Sequence, residues 1–312
     1  LLDFYGALPG LSYSSEGVTD RGDFARAMGT ATHPLEFAVS LIGLLPIAFG
    51  AAVTRGFHDD FGATPTGSTR QRLMWWVPAV LIMVTSMIAV SRSAIIGLLF
   101  AVVASMFFLP TVYRWVVGVL GAIAAVAISV LVPGMLTTVL YLFLSASSDP
   151  STQSRTDALA NVPEFLSASP VFGVGFGTFL PRYYIFDNQL VLLVVELGVL
   201  GIISFAAIVI AALWSALGGA RRSGHMDTRL LGQMFAVSLM SITVLFAFFD
   251  ALSFPIAAGL FFVVVGLCGC VRTIAKSDAE IDAARQRMSG LSPEAEGATS
   301  STARPRASRR SR

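Results

Sequence analysis

Charged residues are scarce in this chain, and those able to do chemistry fall in four short stretches. The first is Arg21–Glu36, RGDFARAMGTATHPLE, where Arg26 and His33 are candidate ligands for an anion and Pro34 suits a first helical position. The plainer alternative is that Arg26 is a solvated loop residue. The second is Ser91-Arg92-Ser93-Ala94, a turn between apolar runs with no room for a loop, which pins Arg92 at a membrane surface between two hydroxyls. Its alternative is snorkelling to lipid headgroups. The third lies in the 147–188 loop, SRTDALANVPEFLSASPVFGVGFGTF, with Arg155 and Asp157 at the start of a short amphipathic helix over 154–167. The fourth is Asp187-Asn188-Gln189 followed by Glu196, two helical turns on, a polar column that would descend into the next span. Glu196 is either a structural hydrogen-bonding group or part of the site.

Together Arg26, Arg92 and Arg155, with Asp187 nearby, suit one cavity that takes a diphosphate. Guanidinium groups grip phosphate oxygens two at a time and stay charged when buried. They would stabilise the charge developing on a departing diphosphate, while Asp187 or His33 deprotonates an attacking hydroxyl. The glycines Gly173, Gly175 and Gly177 resemble a dinucleotide fingerprint only in spacing, since they follow no strand and open no Rossmann helix. They are expected to let the backbone approach the membrane or a phosphate closely. No nucleic acid is expected among the partners.

These residues must be positioned by membrane helices. Of 312 residues, 55% are hydrophobic and 13% charged, too little polar surface to cover a water-soluble body. Seven apolar runs, roughly 34–53, 73–90, 94–110, 115–133, 189–216, 230–249 and 252–271, have about the length of a span. None alternates polar with apolar residues, so strands are excluded and helices expected. The run 134–145 is apolar but short and suits the interface or an extension of the helix before it. Cys268 and Cys270 read as small core residues. The fold expected is all-α, a polytopic transmembrane bundle of about seven spans with a large extracytoplasmic loop.

Arginine placement orients that bundle. Arg55, Arg70 and Arg72, then Arg221, Arg222 and Arg229, then the RPRASRRSR tail all fall on one side, expected to be the cytoplasm, with Trp75, Trp76 and Trp115 at the same helix ends. The organisation that follows is an extracytoplasmic segment 1–33, four spans over 34–133, an extracytoplasmic loop 134–188, three spans over 189–272, and a cytoplasmic tail 273–312. The tail is expected to be largely disordered after a short helix at 277–289. An outside start for residues 1–33 calls for at least one helix upstream, so the chain reads as the later part of a longer protein.

On these residues the chain resembles the O-antigen ligase and polymerase family of bacterial membrane glycosyltransferases. The matching pieces, in the family's order, are RAMGTATHP at 26–34, SRSA at 91–94, SRTDAL at 154–159, SPVFGVGFGTF at 169–179 and DNQLVLLVVELGVLG at 187–201. The resemblance implies a metal- and cofactor-independent enzyme of the bacterial inner membrane, acting at its extracytoplasmic face. Its donor would be a glycan on undecaprenyl diphosphate and its acceptor a glycan, lipid or protein. It also implies diphosphate contacts for Arg92 and Arg155, and for Arg26; Asn188 and Glu196, from the polar column, are further substrate-binding candidates. Many ligases have a histidine where this chain has Asp187; a carboxylate there can still act as the base. The runner-up reading is a permease for a small anion, its arginines lining a vestibule. Against it, the polar groups gather at one surface rather than at the midplane of several spans.

Overall fold

The computed structural model describes residues 20–21, 24–25, 29, 31, 33–56, 73–88, 91–131, 159–167, 169–178 and 186–290. Among these the regular structure is helical apart from one antiparallel ladder that pairs Asp20–Arg21 with Phe24–Ala25. The main helices are α1 (Pro34–Thr54), α2 (Val77–Ile88), α3 (Arg92–Phe108), α4 (Thr111–Leu131), α5 (Gln189–Arg222), α6 (Met226–Leu245) and α7 (Pro255–Gly290). They coincide in position with the seven expected runs. By length and composition α1, α5, α6 and α7 are able to cross a membrane, whereas Val77–Met87, Arg92–Phe108 and Thr111–Val126 are shorter apolar helices.

Local chemistry sets the helix ends. Pro34 opens α1, and the His33 ring caps it by accepting the Leu35 N–H on Nδ1 at 3.1 Å. The helix closes at Arg55, whose φ of 57° is left-handed, followed by Gly56. Asn188 opens α5, its Oδ1 accepting from Leu190 N at 3.0 Å and Val191 N at 3.2 Å.

α1 and α6 form the buried centre, with α3 packed on both, while α5 and α7 cover one flank and α2 and α4 the other. Small residues let the central pair approach: the Ser238 hydroxyl donates to the Gly43 carbonyl from helix to helix, in the manner of membrane interiors. Gly97 of α3 touches Leu245 at the end of α6. At the far end Trp76 stacks on Tyr113 with centroids 6.1 Å apart and lies near Phe49. The N-termini of α1, α3, α5 and α7 therefore share one end with the C-terminus of α6. Arg55, Arg221, Arg222 and Arg229 share the other.

Three expectations change. The tail helix is not separate, because α7 runs without interruption to Gly290. Cys268 is a core residue, but Cys270 is exposed. The span over 189–216 is not one straight helix: Gly198 has φ 64° and ψ −160°. In a straight helix Gln189 and Phe205 would stand roughly 24 Å apart. Yet Gln189 N donates to the Phe246 carbonyl at 2.8 Å while the Phe205 ring stacks on the Phe246 ring at 6.0 Å. The segment before Gly198 thus folds across the end of the bundle, and Val199–Arg222 alone, roughly 36 Å long, is the span.

Candidate functional site

The bundle end that receives α5 is built from four chain segments. Glu36, wholly buried on the first turn of α1, accepts the Ile256 N–H of α7 at 2.8 Å. His33 stands a turn earlier with its ring 5.5 Å from that of Phe254. Gln189, 1% exposed, is the keystone. Its N–H bonds the carbonyls of Phe246 and Phe249 at 2.8 and 3.1 Å, and its Oε1 accepts the Leu252 N–H at 2.7 Å. The turn between α6 and α7 is thereby locked beneath the start of α5.

Gly198 makes the fourth segment fit. A break in a helix frees carbonyls before it and N–H groups after it, and within a bilayer each must find a partner in the protein. Here the glycine loop supplies four such bonds. Val174 N and Gly175 N donate to the carbonyls of Val195 and Glu196 at 3.0 and 2.8 Å, and Val199 N and Leu200 N donate to those of Pro170 and Val171 at 3.1 and 3.2 Å. A Cβ on Gly173 would fall on the Glu196 carbonyl, and one on Gly198 on that of Val171. Gly173 thus brings the loop backbone against α5. Glu196 is buried at this seam, and the polar column it forms with Gln189 runs across the bundle end rather than down into it.

Among the residues singled out from sequence, His33, Arg92, Asp187, Asn188 and Glu196 fall at this one end. Arg92 is the first residue of α3, about 7.5 Å along the helix from Gly97, which touches the end of α6. A cation at a helix N-terminus opposes the macrodipole unless an anion joins it there, and backbone N–H groups point the same way. Arg26 and Arg155, and the beginning of the 154–167 helix, lie outside the described residues; positions 159–166 are helical. Two of the candidates have structural duties. Leu35 N–H occupies the Nδ1 lone pair of His33, which puts the ring proton on Nε2 and makes that atom a donor. The Oδ1 of Asn188 is taken by its cap, leaving its NH₂ group to offer.

Sequence reasoning missed Asp250. This carboxyl sits in the α6–α7 turn, and burial pushes its pKa above the ordinary range. Hydrogen bonds from its own backbone and from Ser253 pull the other way, and the neighbouring charge of Asp187 adds to the rise. Two carboxylates thus influence one another beside the start of α5. The available signal was that Asp250 is the single charged residue in 230–271.

Residues 77–206 match the family model for O-antigen ligase. The chain carries an O-antigen ligase domain. The match takes in α2, α3 and α4, the glycine loop and the break in α5, so Arg92, Asp187, Asn188 and Glu196 all belong to the O-antigen ligase segment; His33, Glu36 and Asp250 flank it from outside. Comparison with curated proteins and with solved structures yields no match. Together with the apolar helices, that match supports an O-antigen ligase-type multi-pass membrane enzyme, and the family implies lipid-linked glycans as substrates.

Proposed function

We propose that the protein transfers or polymerises a glycan carried on undecaprenyl diphosphate, at the extracytoplasmic face of a bacterial inner membrane. The observation that carries this reading is the gathering of Arg92, Asp187, Asn188 and Asp250 at one bundle end, opposite Arg221, Arg222 and Arg229. The acceptor, a glycan, lipid or protein, brings a hydroxyl. Its oxygen bonds the anomeric carbon as the bond from that carbon to the diphosphate oxygen breaks. The diphosphate leaves with the bonding electrons, and the hydroxyl proton passes to Asp187. Arg92 and Arg155, with Arg26, hold the departing charge, a task suited to groups that remain cationic in a site of low polarity. Asn188 offers its NH₂ group to the glycan, and Glu196 steadies the roof beside it. His33, with its proton on Nε2, suits a donor role better than that of the base.

The permease reading draws its one support from the break at Gly198, since broken helices mark ion paths in transporters. Four backbone groups at that break pair with the glycine loop, and Val199–Arg222 continues past it as an unbroken span.

The deciding experiment is removal of the gene followed by analysis of carrier-linked glycan. Long chains accumulating on the carrier indicate a ligase, and single repeat units a polymerase. An unchanged carrier pool would refute the glycosyltransferase reading. Complementation with Asp187→Asn is expected to fail; full restoration would remove Asp187 as the base.

A further inference from the structure

At the bundle end remote from the candidate site, α5 and α7 build a second site that glycan transfer does not use. A Cβ on Gly219 would lie 2.9 Å from the Val271 carbonyl carbon and 3.0 Å from the Arg272 nitrogen, so glycine lets the two backbones touch. The Ser215 hydroxyl donates to the Gly269 carbonyl at 3.3 Å along the same seam. This contact sets Arg272 of α7 beside Arg221 and Arg222 in the last turn of α5. The three arginines head a groove of about 530 Å³ whose remaining wall is apolar, with Ile210, Leu213 and Trp214 along it.

The carboxylates nearby are engaged elsewhere. Asp278 accepts from Thr228 at 2.8 Å and from Ser223 at 3.3 Å, and Asp282 meets His225 at 3.0 Å. Among the described residues none forms an ion pair with Arg221, Arg222 or Arg272. Among the described residues, three guanidinium groups thus crown an apolar slot with no carboxylate paired to them. Trp214, 70% exposed about two turns below them, has the position of a residue at the boundary between hydrocarbon and headgroups.

We infer that this groove is a binding site for one anionic phospholipid. Its phosphate sits among Arg221, Arg222 and Arg272, and an acyl chain lies along Ile210, Leu213 and Trp214. A soluble anion would leave the apolar wall uncovered. A zwitterionic lipid would bring an ammonium group that the arginines repel. Basic pockets between spans are suited to anionic headgroups, each arginine contributing about fivefold in affinity. Arginine's planar fork adds two-point contact with phosphate oxygens.

The test is native mass spectrometry of the full chain, delipidated in mild detergent and titrated with phosphatidylglycerol or phosphatidylethanolamine. One phosphatidylglycerol should bind at least about tenfold more tightly than phosphatidylethanolamine. Arg272→Gln, which leaves Arg221 and Arg222 to orient the chain, should weaken phosphatidylglycerol about fivefold, and the triple glutamine variant roughly a hundredfold. Trp214→Ala should weaken both lipids. Equal binding of the two lipids, or a triple variant that keeps the preference, would overturn the inference. So would displacement of the lipid by millimolar glycerol phosphate, which would mark a site for soluble anions.

Discussion

The Glu36 carboxylate, at the start of α1, accepts the Ile256 N–H at the start of α7 across 2.8 Å and 220 residues of chain. Both helices present their positive ends to it, so one buried side chain ties the first described span to the last. Glu36→Leu should leave that N–H without its acceptor and destabilise the protein by about 1–3 kcal/mol, with Glu36→Gln losing less because an amide oxygen can still accept. Thermal unfolding of detergent-solubilised protein reads the difference; a leucine variant that melts with the wild type would refute the tie.

Three glycines separate conformational strain from collision. Gly177 has φ +69° and, among the described residues, nothing within 4 Å of where an added methyl group would sit, so Gly177→Ala should cost only about 1–2 kcal/mol. Gly173→Ala and Gly198→Ala add a collision with backbone that has nowhere to move, and about 3 kcal/mol or more is expected. Expression level and melting temperature should rank Gly177→Ala nearest the wild type.

Asp250 makes stability depend on pH in a definite direction. Because burial raises its pKa in the folded protein, the folded state holds the proton more tightly than the unfolded chain. Its stabilising share is complete below the ordinary carboxylate value of about 4, and is lost as pH rises through the raised folded value. Asp250→Asn should therefore be more stable than the wild type at neutral pH and flatter across that window. Asp187→Asn removes the neighbouring charge that adds to the rise, so the loss should be complete at lower pH, and smaller in total, than in the wild type. Melting curves from about pH 4 to about pH 8 decide both.

Arg92 should matter through charge and geometry together. Arg92→Ala is expected to lower glycan transfer by about 10²–10³-fold, the usual effect of losing one donor to a developing anion. Arg92→Lys keeps the charge without the fork and should recover part of the loss. Transfer measured on carrier-linked glycan in membranes gives the ratio, and a fully active alanine variant would place the diphosphate elsewhere.

Orientation is open to chemical labelling. With Cys268 and Cys270 replaced by alanine, single cysteines at Ser151 and Ser223 should react with a membrane-impermeant reagent from opposite sides. Labelling of both from one side would overturn the proposed topology.

Much of this architecture was visible in the sequence where the signal is local. Pro34 marks the start of α1, and the Ser91-Arg92-Ser93 turn becomes the start of α3 because no loop fits between two apolar runs. Asn188 is a strong cap before an apolar stretch, and it caps. What stayed hidden depends on partners far apart in the chain. Gly198 in ELGVLG reads as one more residue of a continuous span, since the loop that satisfies its break lies at 170–175. The Glu36 bond to Ile256 leaves no mark on either segment. Asp250 looked like an ordinary turn residue until α5 folded over it.

The glycine loop is fastened to α5 by main-chain atoms, and its side chains take no part in those four bonds. Phe172 and Phe176, 67% and 65% exposed, are therefore free to change identity without loosening the joint. A surface attached in this way can be re-lettered over evolutionary time while the frame beneath it stays put, which would let one architecture be adapted to sugars of many kinds.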